Sequence, residues 1–233
     1  MRAALGFLTV VGGATPQDDR APAWFGVIGA LVGLAVGGAW WAAGELWPPL
    51  LAAVIAVGVD AALTGFLHLD GLADTADGLL PPVDRARRLA IMATPDIGAF
   101  GVAALVVVLV ARVAALATLA PEVALVAGLW AATRAGMALT MALVPYARAR
   151  GIATGFAGRS AAPAAATAVV ALAVVVVALG GWAGPVTAAA AAAAFAAVVA
   201  LAARRIGGYT GDVLGAAGVV AETVGLVVAA ARW

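Results

Sequence analysis

Seven stretches of this chain, each about 20 residues long, contain almost no charged side chains. They lie at roughly 22–44, 47–69, 97–120, 121–144, 164–183, 184–203 and 213–232. A helix needs about 20 consecutive apolar residues to cross the hydrocarbon core of a bilayer. Of the 233 residues, 65% are hydrophobic and 11% are charged, which is more apolar surface than a soluble domain of this size buries. We therefore predict an all-α integral membrane protein with about seven transmembrane helices.

The residue types exclude several classes of protein. The chain has no cysteine, which excludes disulfides, zinc–thiolate sites and cysteine nucleophiles. High hydrophobicity with little charge excludes intrinsic disorder. The net charge of +1 gives no reason to expect a nucleic-acid partner.

The arginines predict how the chain is oriented. Ten of them fall in segments that the seven-span arrangement places on one side: Arg2, Arg20, Arg85, Arg87, Arg88, Arg148, Arg150, Arg159, Arg204 and Arg205. Because positively charged segments stay in the cytoplasm, we predict a cytoplasmic N-terminus and an active site at the cytoplasmic face. This is the topology of a multi-pass membrane protein. No linker is visible, so residues 1–233 are expected to form one polytopic domain, with a catalytic loop at 68–101.

Two apolar features stand apart from the seven stretches. Residues 1–13 are too short to span a bilayer, and we interpret them as an interfacial or re-entrant segment. Gly29, Gly33 and Gly37 recur every four residues in the first span. That spacing predicts a face on which another helix packs closely.

An acidic cluster follows the second span. Asp70, Asp74 and Asp77 are spaced i, i+4, i+7, which places three carboxylates on one face of a helix. Like charges this close repel unless a cation lies among them, and oxygen ligands favour Mg²⁺. The alternative is a solvated acidic loop. His68, the one histidine, is a candidate general base or a packed hydrogen-bonding residue.

Basic residues flank the acidic cluster. Arg85 and Arg88 follow it closely and Arg148 lies in a later polar segment; guanidinium groups suit phosphate recognition. Arginines here also satisfy the positive-inside rule, so both interpretations stay open. Asp212 begins the last span, either as a helix N-cap or as a second metal site or substrate contact.

Charged residues also lie inside the predicted spans. Asp60, Arg134 and Glu222 are each about ten residues from the predicted cytoplasmic end, a depth of roughly 15 Å. Buried membrane charges pair or line a cavity. We predict one polar layer beneath a cytoplasm-facing cavity, with Arg134 paired to Asp60 or Glu222, and these three are substrate-binding candidates. Arg112, nearer the outer end of its span, is predicted to snorkel.

The motifs resemble those of one family, the cobalamin synthases (adenosylcobinamide-GDP ribazoletransferases). The segment LTGFLHLDGLADTADG at 63–78 is similar to the family signature almost residue for residue. Further similar blocks are FLT at 7–9, Arg85 with LAIM at 89–92, IGAFG at 97–101, Arg134, PYAR at 145–148 with Gly151, and TGDVLGA at 210–216 with Glu222. Two places depart from the family pattern. Thr94 and Asp96 stand where the family usually has an acidic and then a basic residue, and Val10-Val11 follow FLT where a basic residue and a proline are usual.

The resemblance implies a reaction that completes the nucleotide loop of cobalamin (vitamin B12). A ribose hydroxyl of α-ribazole, or of its 5′-phosphate, would attack the phosphate attached to cobinamide in adenosylcobinamide-GDP, releasing GMP, with Mg²⁺ as cofactor. The implied roles are metal binding by Asp70, Asp74 and Asp77 with Asp212 as a further ligand, phosphate binding by Arg85, Arg88 and Arg148, and proton transfer by an aspartate or His68. A homo-oligomer or contact with other pathway enzymes is left open.

Two other functions compete with this interpretation. A CDP-alcohol phosphotransferase of phospholipid synthesis also places aspartates at a membrane helix end, and Asp74-x2-Asp77-Gly78 matches part of that motif. The following Ala-Arg and the later aspartate pair of that motif are missing. A secondary transporter would use Asp60, Arg134 and Glu222 for ion coupling, although the sequence shows no internal repeat.

Overall fold

The computed structural model describes residues 1–11, 13, 18, 20–148 and 161–233. Arg150 and Arg159, which were assigned to a cytoplasmic segment, lie outside these residues. The described part is all helical, with no strand. Its ten α-helices are α1 (Arg2–Leu8), α2 (Phe25–Gly44), α3 (Pro49–Leu63), α4 (Leu67–Leu79), α5 (Arg85–Ile91), α6 (Ala99–Thr118), α7 (Val123–Leu143), α8 (Ala162–Leu179), α9 (Ala183–Ile206) and α10 (Gly211–Ala229).

Six helices of the described chain are long and apolar enough to cross a bilayer: α2 with the 3₁₀ turn before it, α6, α7, α8, α9 and α10. The pair α3 and α4 meets the same test only when taken together, which gives up to seven spans. Their number, length and apolar character are those of a multi-pass membrane protein, as the apolar stretches predict. Each of the six lies within a few residues of its predicted bounds.

The second predicted span, 47–69, is wrong at its C-terminal end. Helix α3 ends at Leu63, and α4 departs from its direction by 88°. The bend is made by two consecutive left-handed residues, Gly65 at φ 59° and Phe66 at φ 61°. Glycine adopts this conformation without steric cost, whereas phenylalanine does so rarely. Helix α4 is thus separate from the six spanning helices, and the acidic cluster lies on it.

The predicted catalytic loop 68–101 is largely helical. It contains most of α4, all of α5 and the start of α6. Helix α4 has most of its residues buried, because it packs against α10 and α6. The acidic cluster is therefore held on a packed helix and not on a solvated loop.

The glycine repeat of the first span packs as predicted. Gly29, Gly33 and Gly37 all face the backbone of α7. A Cβ atom on Gly33 would lie 2.7 Å from the Cα of Ala127, so a larger residue would force the two helices apart. Helices α7 and α10 are the most buried spans, and α6, α8 and α9 surround them with largely exposed apolar faces.

Candidate active site

The start of α10 lies directly against α4, and two glycines make this contact. A Cβ on Gly71 would lie 2.8 Å from the carbonyl oxygen of Asp212, and a Cβ on Gly215 would lie 3.1 Å from the Cα of His68. Small residues let helix backbones approach in this way. The contact brings Asp212, which is 138 positions after Asp74 in sequence, beside the acidic cluster of α4.

The electrostatics of Asp74 show that negative charge is concentrated at this contact. Burial, together with the neighbouring carboxylates of Asp212 and Asp70, raises the pKa of Asp74 to about 6, while Arg148 acts in the opposite direction. Among the charged groups that raise this pKa, Asp212 has the largest effect and Asp77 the smallest. A cation placed here would relieve the repulsion among Asp70, Asp74 and Asp212.

Asp77, the third member of the predicted cluster, has a different set of contacts. Its Oδ2 accepts a hydrogen bond from the Gly98 amide at 2.6 Å, and its Oδ1 accepts one from the Gly101 amide at 2.9 Å. These amides lie at the start of α6, where helices leave N–H groups without intrahelical partners. Asp77 thus joins α4 to the N-terminus of α6, and its carboxylate is buried in that role.

As the side chains stand, no three histidine or acidic residues of the described chain are close enough together to hold a metal ion. Mg²⁺ keeps several waters and is usually held by one or two carboxylates plus substrate phosphates. The oxygen-only donors around Asp74 match that chemistry in type and charge.

Arg148 and Asp212 form an ion pair at the edge of the site. Arg148 Nη2 lies 3.1 Å from Asp212 Oδ2 and also donates to the Met92 carbonyl at 3.0 Å. The N-cap of α10 is Thr210, whose Oγ1 accepts from the Val213 amide at 3.3 Å. The N-cap alternative for Asp212 is therefore wrong, and its carboxylate is available at the site.

Two arginines that were predicted to hold phosphates contact main-chain carbonyls in the structure. Arg88 is buried, and its Nη1 donates to the carbonyls of Gly78 and Leu79 at the end of α4. Arg85 donates to the carbonyls of Ile206 and Ala147. Both side chains therefore stabilise helix ends and loops around the site. Their assignment to phosphate stays a prediction, and Arg148 is the better placed of the three.

The predicted polar layer of Asp60, Arg134 and Glu222 is present, and Arg112, which was predicted to snorkel, lies at its centre. Arg112 is 2% exposed and does not snorkel. Its Nη1 lies 2.8 Å from Asp60 Oδ2, and its Nη2 lies 2.9 Å from Glu222 Oε2. Arg134 pairs with the other oxygen of Glu222, as predicted. Two arginines and two carboxylates thus form a buried, neutral network.

Uncharged side chains complete this network. Trp130 Nε1 donates to Asp60 Oδ1 at 2.8 Å, and Thr133 Oγ1 donates to Glu222 Oε1 at 2.8 Å. The guanidinium of Arg112 also lies 5.1 Å from the centre of the Trp130 ring. The pairing of Arg112 could have been predicted from the sequence, because an arginine inside an apolar span is costly unless a buried carboxylate pairs with it.

His68 connects the polar network to the acidic cluster. Arg134 Nη2 lies 3.4 Å from His68 Nδ1. A guanidinium can only donate, so Nδ1 is the acceptor and the ring proton is on Nε2. His68 is buried and contributes to the lining of a cavity beside Asp212. In this state it offers a hydrogen-bond donor, which differs from the general-base role considered for it.

The cavity beside Asp212 has a volume of about 390 Å³. Its lining brings together α1, α4, the end of α7 and the start of α10. Polar groups are contributed by His68, Arg148 and Asp212, and the remaining lining is mostly apolar. A concave apolar cavity with a few convergent polar groups is the usual form of a small-molecule site.

The fold and site together define a class: a multi-pass helical protein with a cavity at the junction of α4, α7 and α10 that is lined by one carboxylate, one arginine and one histidine. Comparison with known proteins specifies it further. The family model described as cobalamin-5-phosphate synthase matches residues 1–230. The chain belongs to this family.

Curated relatives agree with the family match. An adenosylcobinamide-GDP ribazoletransferase of Bradyrhizobium diazoefficiens is 42% identical over 162 residues, which is 65% of this chain and 62% of the relative. Those of Brucella anthropi and Pseudomonas paraeruginosa are 39% and 41% identical, over 59% of this chain and 54% and 58% of their own lengths. The matched region therefore spans less than two thirds of these relatives. No solved structure matches the chain.

Proposed function

We propose that this protein is an adenosylcobinamide-GDP ribazoletransferase of the bacterial cytoplasmic membrane. Its substrates would be adenosylcobinamide-GDP and α-ribazole or its 5′-phosphate. The observation that carries the proposal is the packing of α4 against α10, which places Asp212 and Arg148 beside Asp74 in a chain that belongs to this family. Carboxylates for a metal next to an arginine for phosphate are the groups that phosphoryl transfer requires.

In the proposed reaction a ribose hydroxyl of the acceptor attacks the phosphorus attached to cobinamide. A new ribose oxygen–phosphorus bond forms, the bond to the GMP oxygen breaks, and GMP leaves. Asp212 lines the cavity, and an aspartate of the site would accept the hydroxyl proton. Arg148 would hold the diphosphate, and the Nε2–H of His68 would donate a hydrogen bond to a substrate oxygen.

Mg²⁺ is the proposed cofactor, with Asp70, Asp74 and Asp212 as the residues that would hold it. When bound, it would neutralise and orient the phosphate oxygens. Asp77 is a weaker candidate because both of its oxygens already accept amide hydrogen bonds. The buried network of Asp60, Arg112, Arg134 and Glu222 would act by positioning His68, since Arg134 is the residue that contacts its ring.

Turnover tests this function directly. The protein purified in detergent is given Mg²⁺, adenosylcobinamide-GDP and α-ribazole 5′-phosphate, and GMP and the joined corrinoid are separated by chromatography. We expect both products, in equal amounts and only with a divalent cation. Asp74→Asn should abolish turnover while the protein stays folded. A folded wild-type sample that accepts CDP-alcohol substrates instead would favour phospholipid synthesis, and ion uptake into proteoliposomes without turnover would favour a transporter.

The proposed orientation has the N-terminus in the cytoplasm, as the arginine distribution indicates. Because the chain has no cysteine, one introduced thiol is the sole site for a membrane-impermeant maleimide. In intact cells, Ala231→Cys should be labelled and Ala86→Cys should be protected; both positions are exposed. The reverse pattern would invert the topology. Association into a homo-oligomer or with pathway enzymes stays a prediction.

A further inference from the structure

The cavity beside Asp212 has two aromatic side chains in its lining, Phe7 and Tyr146. Each is backed by a second ring. Phe7 stacks on Phe25 with ring centres 5.3 Å apart and an angle of 22° between the planes, and Tyr146 meets Tyr209 edge-on at 5.3 Å. Phe25 and Tyr209 are almost completely buried. The backing rings restrict the two lining rings, so the cavity has fixed aromatic surfaces.

The N-terminal helix α1 provides one of these surfaces. Although α1 has only seven residues, it is firmly packed: Ala4 and Leu8 are buried, and the Val10 amide that follows it donates to the Leu63 carbonyl at 3.0 Å. Gly6 and Phe7 line the cavity. The apolar N-terminal segment thus forms part of the cavity lining.

The lining divides into two chemical parts. Apolar contacts are available from Phe7, Tyr146, Leu67, Met137 and Leu214. Polar contacts are available from His68, Arg148 and Asp212. A nucleoside has the same division, with a flat apolar base joined to a polar ribose. At about 390 Å³ the cavity is at the small end of ligand sites, a size that suits a nucleoside better than a corrin macrocycle carrying a nucleoside diphosphate.

We propose that this cavity binds the acceptor nucleoside, with its aromatic base against Phe7 and Tyr146 and its ribose towards Asp212. The corrinoid substrate stays outside the cavity and presents its diphosphate at the edge, beside Arg148. This inference rests on the proposed function, since it assigns one of the two proposed substrates to one cavity. It also makes Phe7 and Tyr146 the residues that determine which bases are accepted.

Steady-state kinetics with each substrate varied in turn test the assignment. Phe7→Ala and Tyr146→Leu remove one aromatic surface each, whereas Tyr146→Phe keeps the ring. We expect the first two to raise KM for α-ribazole 5′-phosphate about five- to tenfold, in line with the loss of an aromatic contact. KM for adenosylcobinamide-GDP should stay within about twofold in Phe7→Ala. Tyr146→Phe loses the hydrogen bond between the tyrosine hydroxyl and Arg148 but keeps the ring, so it should keep the wild-type KM for α-ribazole 5′-phosphate, and its KM for adenosylcobinamide-GDP is the baseline for Tyr146→Leu. Trp182→Ala is the matched control, because Trp182 is 82% exposed and precedes α9 at the end far from the cavity.

The outcomes separate this inference from the proposed function. A higher KM for adenosylcobinamide-GDP with an unchanged KM for the nucleoside would overturn the assignment, and so would equal changes in both. If Phe7→Ala does not fold, Tyr146→Leu and calorimetric binding of α-ribazole 5′-phosphate to wild type and variant decide the question. A folded wild-type protein without turnover would overturn the proposed function itself, whatever the variants do.

Discussion

Gly71 of α4 lies against the backbone of Asp212 at the start of α10, so close that a Cβ on Gly71 would be 2.8 Å from the Asp212 carbonyl oxygen. The two residues are 141 positions apart in sequence, and their contact determines which carboxylates are neighbours. Asp70 and Asp74 flank Gly71 on α4, so any separation of the two helices would also separate them from Asp212.

Replacing Gly71 therefore tests the architecture of the site. We expect Gly71→Ala to lower turnover at least tenfold and to weaken the dependence on Mg²⁺, because the added methyl group pushes α4 away from Asp212. Turnover at several Mg²⁺ concentrations measures this. Gly58→Ala is the matched control, since nothing lies within 4 Å of a Cβ at that helical position. Equal activity of the two variants would contradict the assigned packing.

The buried ion network should contribute strongly to stability. Arg112→Met leaves Asp60 and Glu222 without one of their partners, and loss of one member of a buried ion pair costs about 3–5 kcal/mol. We expect a clearly lower midpoint of thermal unfolding in detergent. Arg232→Ala removes an exposed arginine and should leave the midpoint unchanged. If Arg112→Met matched the wild type, the network would not be an important source of stability.

Asp74 and Asp77 should respond differently to the same substitution. Asp77→Asn weakens the acceptors for the Gly98 and Gly101 amides. It should therefore lower the unfolding midpoint and leave the Mg²⁺ dependence of turnover nearly unchanged. Asp74→Asn should abolish turnover with little change in the midpoint. Both variants are followed by thermal unfolding and by activity. The opposite pattern would show that Asp77 is the metal ligand and Asp74 the structural residue.

The single histidine provides a spectroscopic test of the contact with Arg134. In protein labelled with ¹⁵N-histidine, the ring nitrogens should report a neutral ring with its proton on Nε2, because Arg134 donates to Nδ1. Arg134→Met removes that donor and should give a mixture of tautomers. A proton on Nδ1 in the wild type would show that the contact with Arg134 is absent.

Alkaline pH should affect the two tyrosines in a defined direction. Burial, aided by Tyr146, raises the pKa of Tyr209 to about 12, and burial also raises the pKa of Tyr146. In the unfolded chain both hydroxyls lose their protons near pH 10. The buried neutral tyrosines therefore contribute fully to the free energy of unfolding below about pH 10, and this contribution is lost as pH rises towards 12. Tyrosinate absorbance in wild type, Tyr146→Phe and Tyr209→Phe measures each group. Ionisation of Tyr209 at the ordinary value would contradict its burial.

The positions of six apolar helices were predictable from the sequence, whereas the bend that separates α3 from α4 was not. A span depends on the apolar length of one contiguous segment, which is a local property, and the same holds for the glycine face of α2 on α7. The family motifs also predicted one site formed by His68, Asp70, Asp74, Asp77 and Asp212. In the structure the first four lie on α4, and the start of α10 with Asp212 packs against that helix.

Tertiary structure decided how these residues are used. The sequence places Arg112 near the end of a span, where its side chain could reach the membrane interface by snorkelling. Only packing brings Asp60 and Glu222, which are 52 and 110 positions away, within reach of its guanidinium. Asp77 became a capping residue for α6, and Phe7 became part of a cavity, for the same reason. Local pattern determines which segments are helices and which faces are apolar, whereas partners for buried charges depend on where distant helices cross.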